Sequence, residues 1–225
     1  MCSTTGATRR LDAYGGDRFQ PVQLRNATSF FRYFAFDPPK PDFDLLKELD
    51  FASLPQRFAS EDIVDALDPN LADFRNRGGK IIMWHGWADV GLIPTRTIQY
   101  YEKVQATLGS EETDSFLRLF MLPGIYHCSG GRGPDLFDDL TALEQWVEQG
   151  VKPDKMIAYK MPPSTDPAYI SERKGLQELY RASMSRPLCA YPQVARYDGS
   201  GGTNDASNFV LYLTEGLTCA APVHL

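Results

Sequence analysis

The chain has 225 residues, 43% hydrophobic and 23% charged, the size and balance of one globular domain or slightly more. Its net charge of −6 argues against nucleic acid or an anionic membrane surface as a partner. No run approaches the roughly 18 consecutive apolar residues of a spanning helix, and Met1-Cys2-Ser3-Thr4-Thr5-Gly6 lacks the basic and apolar regions of a signal peptide.

Residues 1–28 are polar and turn-rich and predict no regular element. Asn26-Ala27-Thr28 is a glycosylation acceptor triplet if the protein is secreted. The aromatic stretch from Phe30 to Phe36 runs into Asp37-Pro38-Pro39, where the prolines stop a helix and impose extended backbone. Apolar spacings of three and four predict helical turns over 43–51 and 63–74. Asp68-Pro69 reads as a helix start with proline at the first helical position, launching a short helix that closes at Gly78-Gly79. Residues 80–85 form a short, nearly continuous apolar run between glycines, the pattern of a strand buried on both faces of a parallel sheet. A loop through Asp89 leads to a helix over 94–108 and a second strand over 116–122, closed by Pro123-Gly124. A further helix is expected over 135–149, with Leu136, Leu140, Leu143 and Val147 on one face and Gly150 at its end. Residues 156–161 read as a third, edge strand, and 162–225 as loops and short extended pieces. Strand, helix, strand, helix is the alternation of an α/β fold. The expected organisation is a loop and short-helix segment over 1–77 and an α/β part over 78–225.

In open parallel sheets the reacting groups sit beyond the carboxyl ends of the strands. Asp89 follows the first strand and His127 the second, 38 residues later (127 − 89), enough for one crossover helix and one strand. Adjacent parallel strands bring both loops to one edge, in the acid-then-histidine order of an α/β-hydrolase triad. Such a histidine shuttles the proton of a serine while the aspartate fixes its tautomer and stabilises the imidazolium. Taken singly, Asp89 is a turn former and His127 an ordinary loop histidine; their joint placement is what points to chemistry. His85, at the strand end, reads as a packed core residue or as a group beside the site. Trp87, Phe30 and Tyr33 read as core aromatics or as the lining of an aromatic acyl pocket.

Four cysteines, Cys2, Cys128, Cys189 and Cys219, lack the paired C-x-x-C spacing of a zinc site, so disulfides outrank metal and no metal is expected. Cys189 and Cys219 form either a loop-closing disulfide worth about 3 kcal/mol or a reduced pair. Gly130-Gly131-Arg132-Gly133-Pro134 lacks the lysine of a phosphate loop. Asp135, Asp138 and Asp139 read as the acidic start of a helix rather than a calcium site.

Gly78-Gly79-Lys80, Trp84-His85-Gly86-Trp87-Ala88-Asp89 and Pro123-Gly124-Ile125-Tyr126-His127-Cys128 together resemble the tannase and feruloyl esterase family. Its members carry a G-G-K strand, a W/Y-H-G-W-x-D acid loop and a P-G-x-x-H-C histidine loop. Phe30-Phe31-Arg32-Tyr33, Phe36-Asp37-Pro38 and Arg186-Pro187-Leu188-Cys189-Ala190-Tyr191-Pro192 also look like family landmarks, so the resemblance covers residues 28 to 210. It implies an α/β-hydrolase-type parallel sheet, here incomplete, with flanking helices and long loops. It implies Asp89 as triad acid and His127 as triad base; His85 and Trp87 are read from their own positions as substrate-pocket groups or, more commonly, packed core residues. The implied substrate is a small hydroxycinnamoyl or galloyl ester, and the parent family is secreted.

Family members place their serine in a C-S-x-G-G elbow far upstream and insert a lid with a calcium loop before the acid. This sequence contains neither, so no cofactor is expected, and the resemblance implies a missing N-terminal half or a homo-oligomer that covers the exposed sheet edge. The one similar run is Cys2-Ser3-Thr4-Thr5-Gly6. On one reading Ser3 is the nucleophile and Cys2 pairs with Cys128, as the family's corresponding cysteines do. On the other, favoured because no strand precedes Ser3 to hold an elbow, Cys2-Ser3 is a chance match or a surface loop in a piece of a longer chain; the alternative to an ester hydrolase is an inactive fragment or accessory domain of one.

Overall fold

A computed structural model describes residues 21–52, 66–162 and 182–213. The chain divides into two compact units, 1–67 and 68–225. Residues 68–77, assigned from the sequence to the N-terminal segment, belong to the second unit, where Leu71 and Phe74 pack against its core.

In the first unit α1 (Val22–Tyr33) begins after Pro21, inside the stretch expected to be irregular. It ends where the Phe34 amide donates to Phe30 O (2.9 Å). α2 (Leu45–Glu48) is a single turn capped by Asp44, whose carboxylate accepts from the Leu46 amide. Phe31, Ala35, Phe43 and Leu45 are buried together, Phe31 and Phe43 with stacked rings 5.7 Å apart. Phe30 and Tyr33 stay largely exposed.

The second unit opens with α3 (Ala72–Asn76). Asp68 does not cap it. Its carboxylate accepts from the Asn70 amide (2.8 Å), a side-chain turn that delays the helix by a few residues. β1 (Ile81–Gly86) follows, then α4 (Pro94–Leu108) with Pro94 at the start, α5 (Ser110–Asp114) and β2 (Leu117–Leu122). β1 and β2 pair in parallel, from Ile81 opposite Leu117 to Gly86 opposite Leu122. Alternating side chains serve two cores. Ile81, Met83, Leu117 and Leu119 meet Ile98, Tyr101 and Val104 of α4. Ile82, Trp84, Phe120 and Leu122 meet Met156, Ala158 and Leu188 on the other face.

β1 is half-buried along its length, unlike the strand buried on both faces that its apolar run suggested; β2 fits that description. α6 (Asp139–Gln149) starts at its cap Asp138, which accepts from the Thr141 amide (3.0 Å), and ends at Gly150 in the left-handed region (φ 71°). Its buried residue is Trp146, under the Lys80 ammonium, while Leu140 and Val147 of the expected face are exposed. Trp146 outweighs the leucines in apolar area, and the helix is turned accordingly.

β3 (Lys155–Lys160) does not extend the parallel pair. It runs antiparallel to β4 (Met184–Cys189) in a second small sheet, and β5 (Gln193–Tyr197) pairs antiparallel with β6 (Phe209–Leu213) in a third. The short extended pieces expected over 162–225 are three strands, paired in these two sheets. β2 meets the end of β4 through the Tyr191 amide donating to Leu119 O (2.7 Å).

Candidate active site

The parallel pairing carries the loops after β1 and β2 to one edge. The Trp87 amide donates to Leu122 O (2.9 Å) and the Ala88 amide to Ile125 O (2.9 Å), tying one loop to the other. This approach requires Gly86: a Cβ there would lie 2.4 Å from Ile125 O and 2.5 Å from Tyr126 O. The second loop closes on itself, with the Arg132 and Gly133 amides donating to Gly124 O and the Gly130 amide to the Asp135 carboxylate (2.7 Å).

Asp89 and His127 stand together at this edge. His127 Nδ1 lies 2.8 Å from Asp89 Oδ2. The Asp89 side chain is 2% exposed and that of His127 43%, so the acid is enclosed and the imidazole reaches solvent. A carboxylate only accepts, so Nδ1 carries the proton and the neutral ring has its lone pair on Nε2. Asp89 Oδ1 accepts from the Gly91 (2.7 Å) and Leu92 (3.0 Å) amides. Burial pushes the Asp89 carboxyl up, but donors from Leu92, His127 and Gly91 outweigh it and hold the group below the usual carboxylate range. The acid is therefore anionic at neutral pH.

His85 is brought to the same carboxylate. Its Nε2 lies 3.2 Å from Asp89 Oδ2 and its Nδ1 2.7 Å from Thr97 Oγ1 on α4. Both ring nitrogens thus meet protein groups, and the side chain is 11% exposed. Trp87 is 45% exposed in the acid loop, beside the exposed apolar side chains of Val90, Leu92 and Ile93. Thr97 and the Gly91 and Leu92 amides escaped sequence reasoning. The position of Thr97 in the first turn of the helix after the acid loop was the available signal.

Ser3, Cys2 and Cys219 lie outside the described residues. Cys128 is exposed and Cys189 buried, and neither is bonded to another cysteine among the described residues. Burial raises the Cys189 thiol above its ordinary value, with Lys155 opposing. Asp138 and Asp139 begin α6, as their acidic cluster suggested, whereas Asp135 pairs with Lys160 (3.1 Å).

Known proteins resemble this chain over most of its length. Residues 11–211 match the family described as "Tannase and feruloyl esterase". A mono(2-hydroxyethyl) terephthalate hydrolase of Piscinibacter sakaiensis is 42% identical over 164 residues, 73% of this chain and 23% of that protein. A probable feruloyl esterase of Arthroderma benhamiae is 33% identical over 176 residues, 75% of this chain and 30% of that one. The crystal structure of feruloyl esterase B from Aspergillus oryzae superposes with a TM-score of 0.67 at 25% identity, covering 83% of this chain and 37% of that one. The chain thus spans roughly a quarter to two-fifths of the length of these relatives. By its sequence and its structural neighbours, the chain belongs to the tannase and feruloyl esterase family.

Proposed function

We propose that Asp89 and His127 are the acid and base of a serine-type carboxylic ester hydrolase acting on small aromatic esters. The observation that carries this reading is the 2.8 Å contact between His127 Nδ1 and an enclosed carboxylate. Asp89 orients the ring and offsets the charge of the imidazolium. His127 Nε2 takes the proton of a serine hydroxyl as it attacks the ester carbonyl, then returns it to the departing alcohol. Water, activated by the same nitrogen, releases the acid from the acyl-enzyme. The aromatic acyl group is favoured by the exposed Trp87 in the acid loop and by the terephthalate and ferulate named for the relatives. Ser3 is the nucleophile on this reading. The half-exposed β1 supports a parallel sheet of the α/β-hydrolase type that is incomplete at that edge.

The chain's small share of its relatives' length favours a second reading, in which the serine is supplied by sequence other than these 225 residues. Release of ferulate from methyl ferulate separates the two. Turnover lost in both Ser3→Ala and His127→Ala would make Ser3 the nucleophile. Turnover lost in His127→Ala alone assigns a different serine, and a folded parent without turnover supports the second reading.

A further inference from the structure

We infer that His85 is a positioning residue for Asp89, part of a Thr97–His85 brace that delivers a second N–H to Asp89 Oδ2 and limits the negative charge this oxygen offers His127. The inference rests on the reading of Asp89 and His127 as acid and base.

Its basis is the order of donors and acceptors. Asp89 Oδ2 accepts only, so His85 Nε2, 3.2 Å away, must carry its proton. In a neutral ring Nδ1 is then the acceptor, and the Thr97 hydroxyl at 2.7 Å must donate to it. One tautomer satisfies the whole chain from Thr97 through His85 to Asp89. The flanking elements make it rigid: His85 is near the end of β1 and Thr97 lies in the first turn of α4, so the brace joins the two elements between which the acid loop is strung.

Both carboxylate oxygens are thereby occupied, Oδ1 by the Gly91 and Leu92 amides and Oδ2 by two imidazoles. Two donors sharing Oδ2 divide its attraction. Removing the His85 N–H leaves more charge for His127 and favours its protonated form. The titratable groups bonded to this carboxylate are His85 and His127. From α4 the contact is Thr97, while its neighbour Arg96 is turned onto Gln99 (3.4 Å). The exposed Cys128 follows His127 in the second loop.

The sequence holds three histidines, so imidazole 1H–15N spectra of the whole chain can be assigned by single substitutions. In His85→Phe the midpoint of the His127 titration is expected to rise by about one pH unit, a tenfold gain in proton affinity. The acid limb of the ester pH–rate profile should rise with it, with KM unchanged. His85→Gln, which places an amide N–H near the Nε2 position, should restore the parent values. Thr97→Val should convert the single Nε2–H tautomer of His85 into a mixture visible in its 15N shifts.

A His127 midpoint that stays or falls in His85→Phe, or Gln behaving as Phe does, overturns the brace. If His85→Phe does not fold, Thr97→Val decides, an unchanged tautomer being the contrary result. The two proposals fail separately. A folded parent without ester turnover but with the titration shift sinks Ser3 as the nucleophile alone, and turnover with an unmoved midpoint sinks the brace alone.

Discussion

The parallel pair carries a charge network at each end, each centred on one enclosed group, and the two are built from different chemistry. At the carboxyl end of the strands Asp89 is held by two imidazoles and two backbone amides. Toward the amino end of β2, Arg118 is 7% exposed. Its guanidinium pairs with Asp114 and Asp154 and donates to Pro153 O (3.2 Å), and Lys152 adds a second cation to Asp114. Guanidinium, ammonium and ordinary carboxylates keep their charges throughout the neutral range. Imidazoles are the side chains that exchange a proton there. One end therefore holds groups that exchange a proton in the neutral range and the other groups that keep their charge. Burial and pairing alone do not mark a site; a group able to change its charge, placed beyond the carboxyl ends of the strands, does.

Substitutions at the two ends should separate turnover from stability. The largest effect belongs to Arg118→Ala. It leaves Asp154 and Pro153 O without their donor while Asp114 keeps Lys152, and with the carboxylates partly in water should cost about 1–2 kcal/mol in chemical denaturation. Turnover per folded molecule should stay at the parent value. A loss of turnover with unchanged stability would abolish the distinction between the ends.

Acid should act more gently and through the other end. Because the Asp89 carboxyl is held below the ordinary carboxylate range, its contribution to stability is complete above about pH 5 and is lost as pH falls below about 4. Denaturation midpoints measured from pH 6 to pH 3 should fall less in Asp89→Asn than in the parent. Equal slopes would show that the carboxylate is not stabilised by its surroundings.

Local pattern revealed the parts of this molecule whose partners are close in sequence. The apolar runs at 80–85 and 116–122 with a helix between them suffice to predict a parallel pair, and the pair by itself brings Asp89 and His127 to one edge. The direction of β3 was not legible, because an apolar strand looks the same beside a parallel or an antiparallel neighbour. Its partner, β4, begins 24 residues after β3 ends (184 − 160). The half-exposure of β1 depends on what lies along its outer edge, which its own residues do not encode. α6 was assigned the wrong face because spacing counts apolar positions equally, whereas Trp146 buries more area than Leu140 or Val147. His85 was visible as a histidine at a strand end; its bond to Thr97, twelve residues on, was not. The resemblance to the family stands, and the division of the chain shifted because Leu71 and Phe74 pack on the sheet.

The central claim is that Asp89 and His127 work as one acid–base unit. The most direct test is the titration of the His127 imidazole by NMR in the parent and in Asp89→Asn. Replacing the carboxylate with a neutral amide removes the charge that favours the imidazolium. The midpoint should therefore be lower in the variant than in the parent. A midpoint that does not move would mean that the two side chains are neighbours without electrostatic coupling, and the acid–base assignment would be wrong.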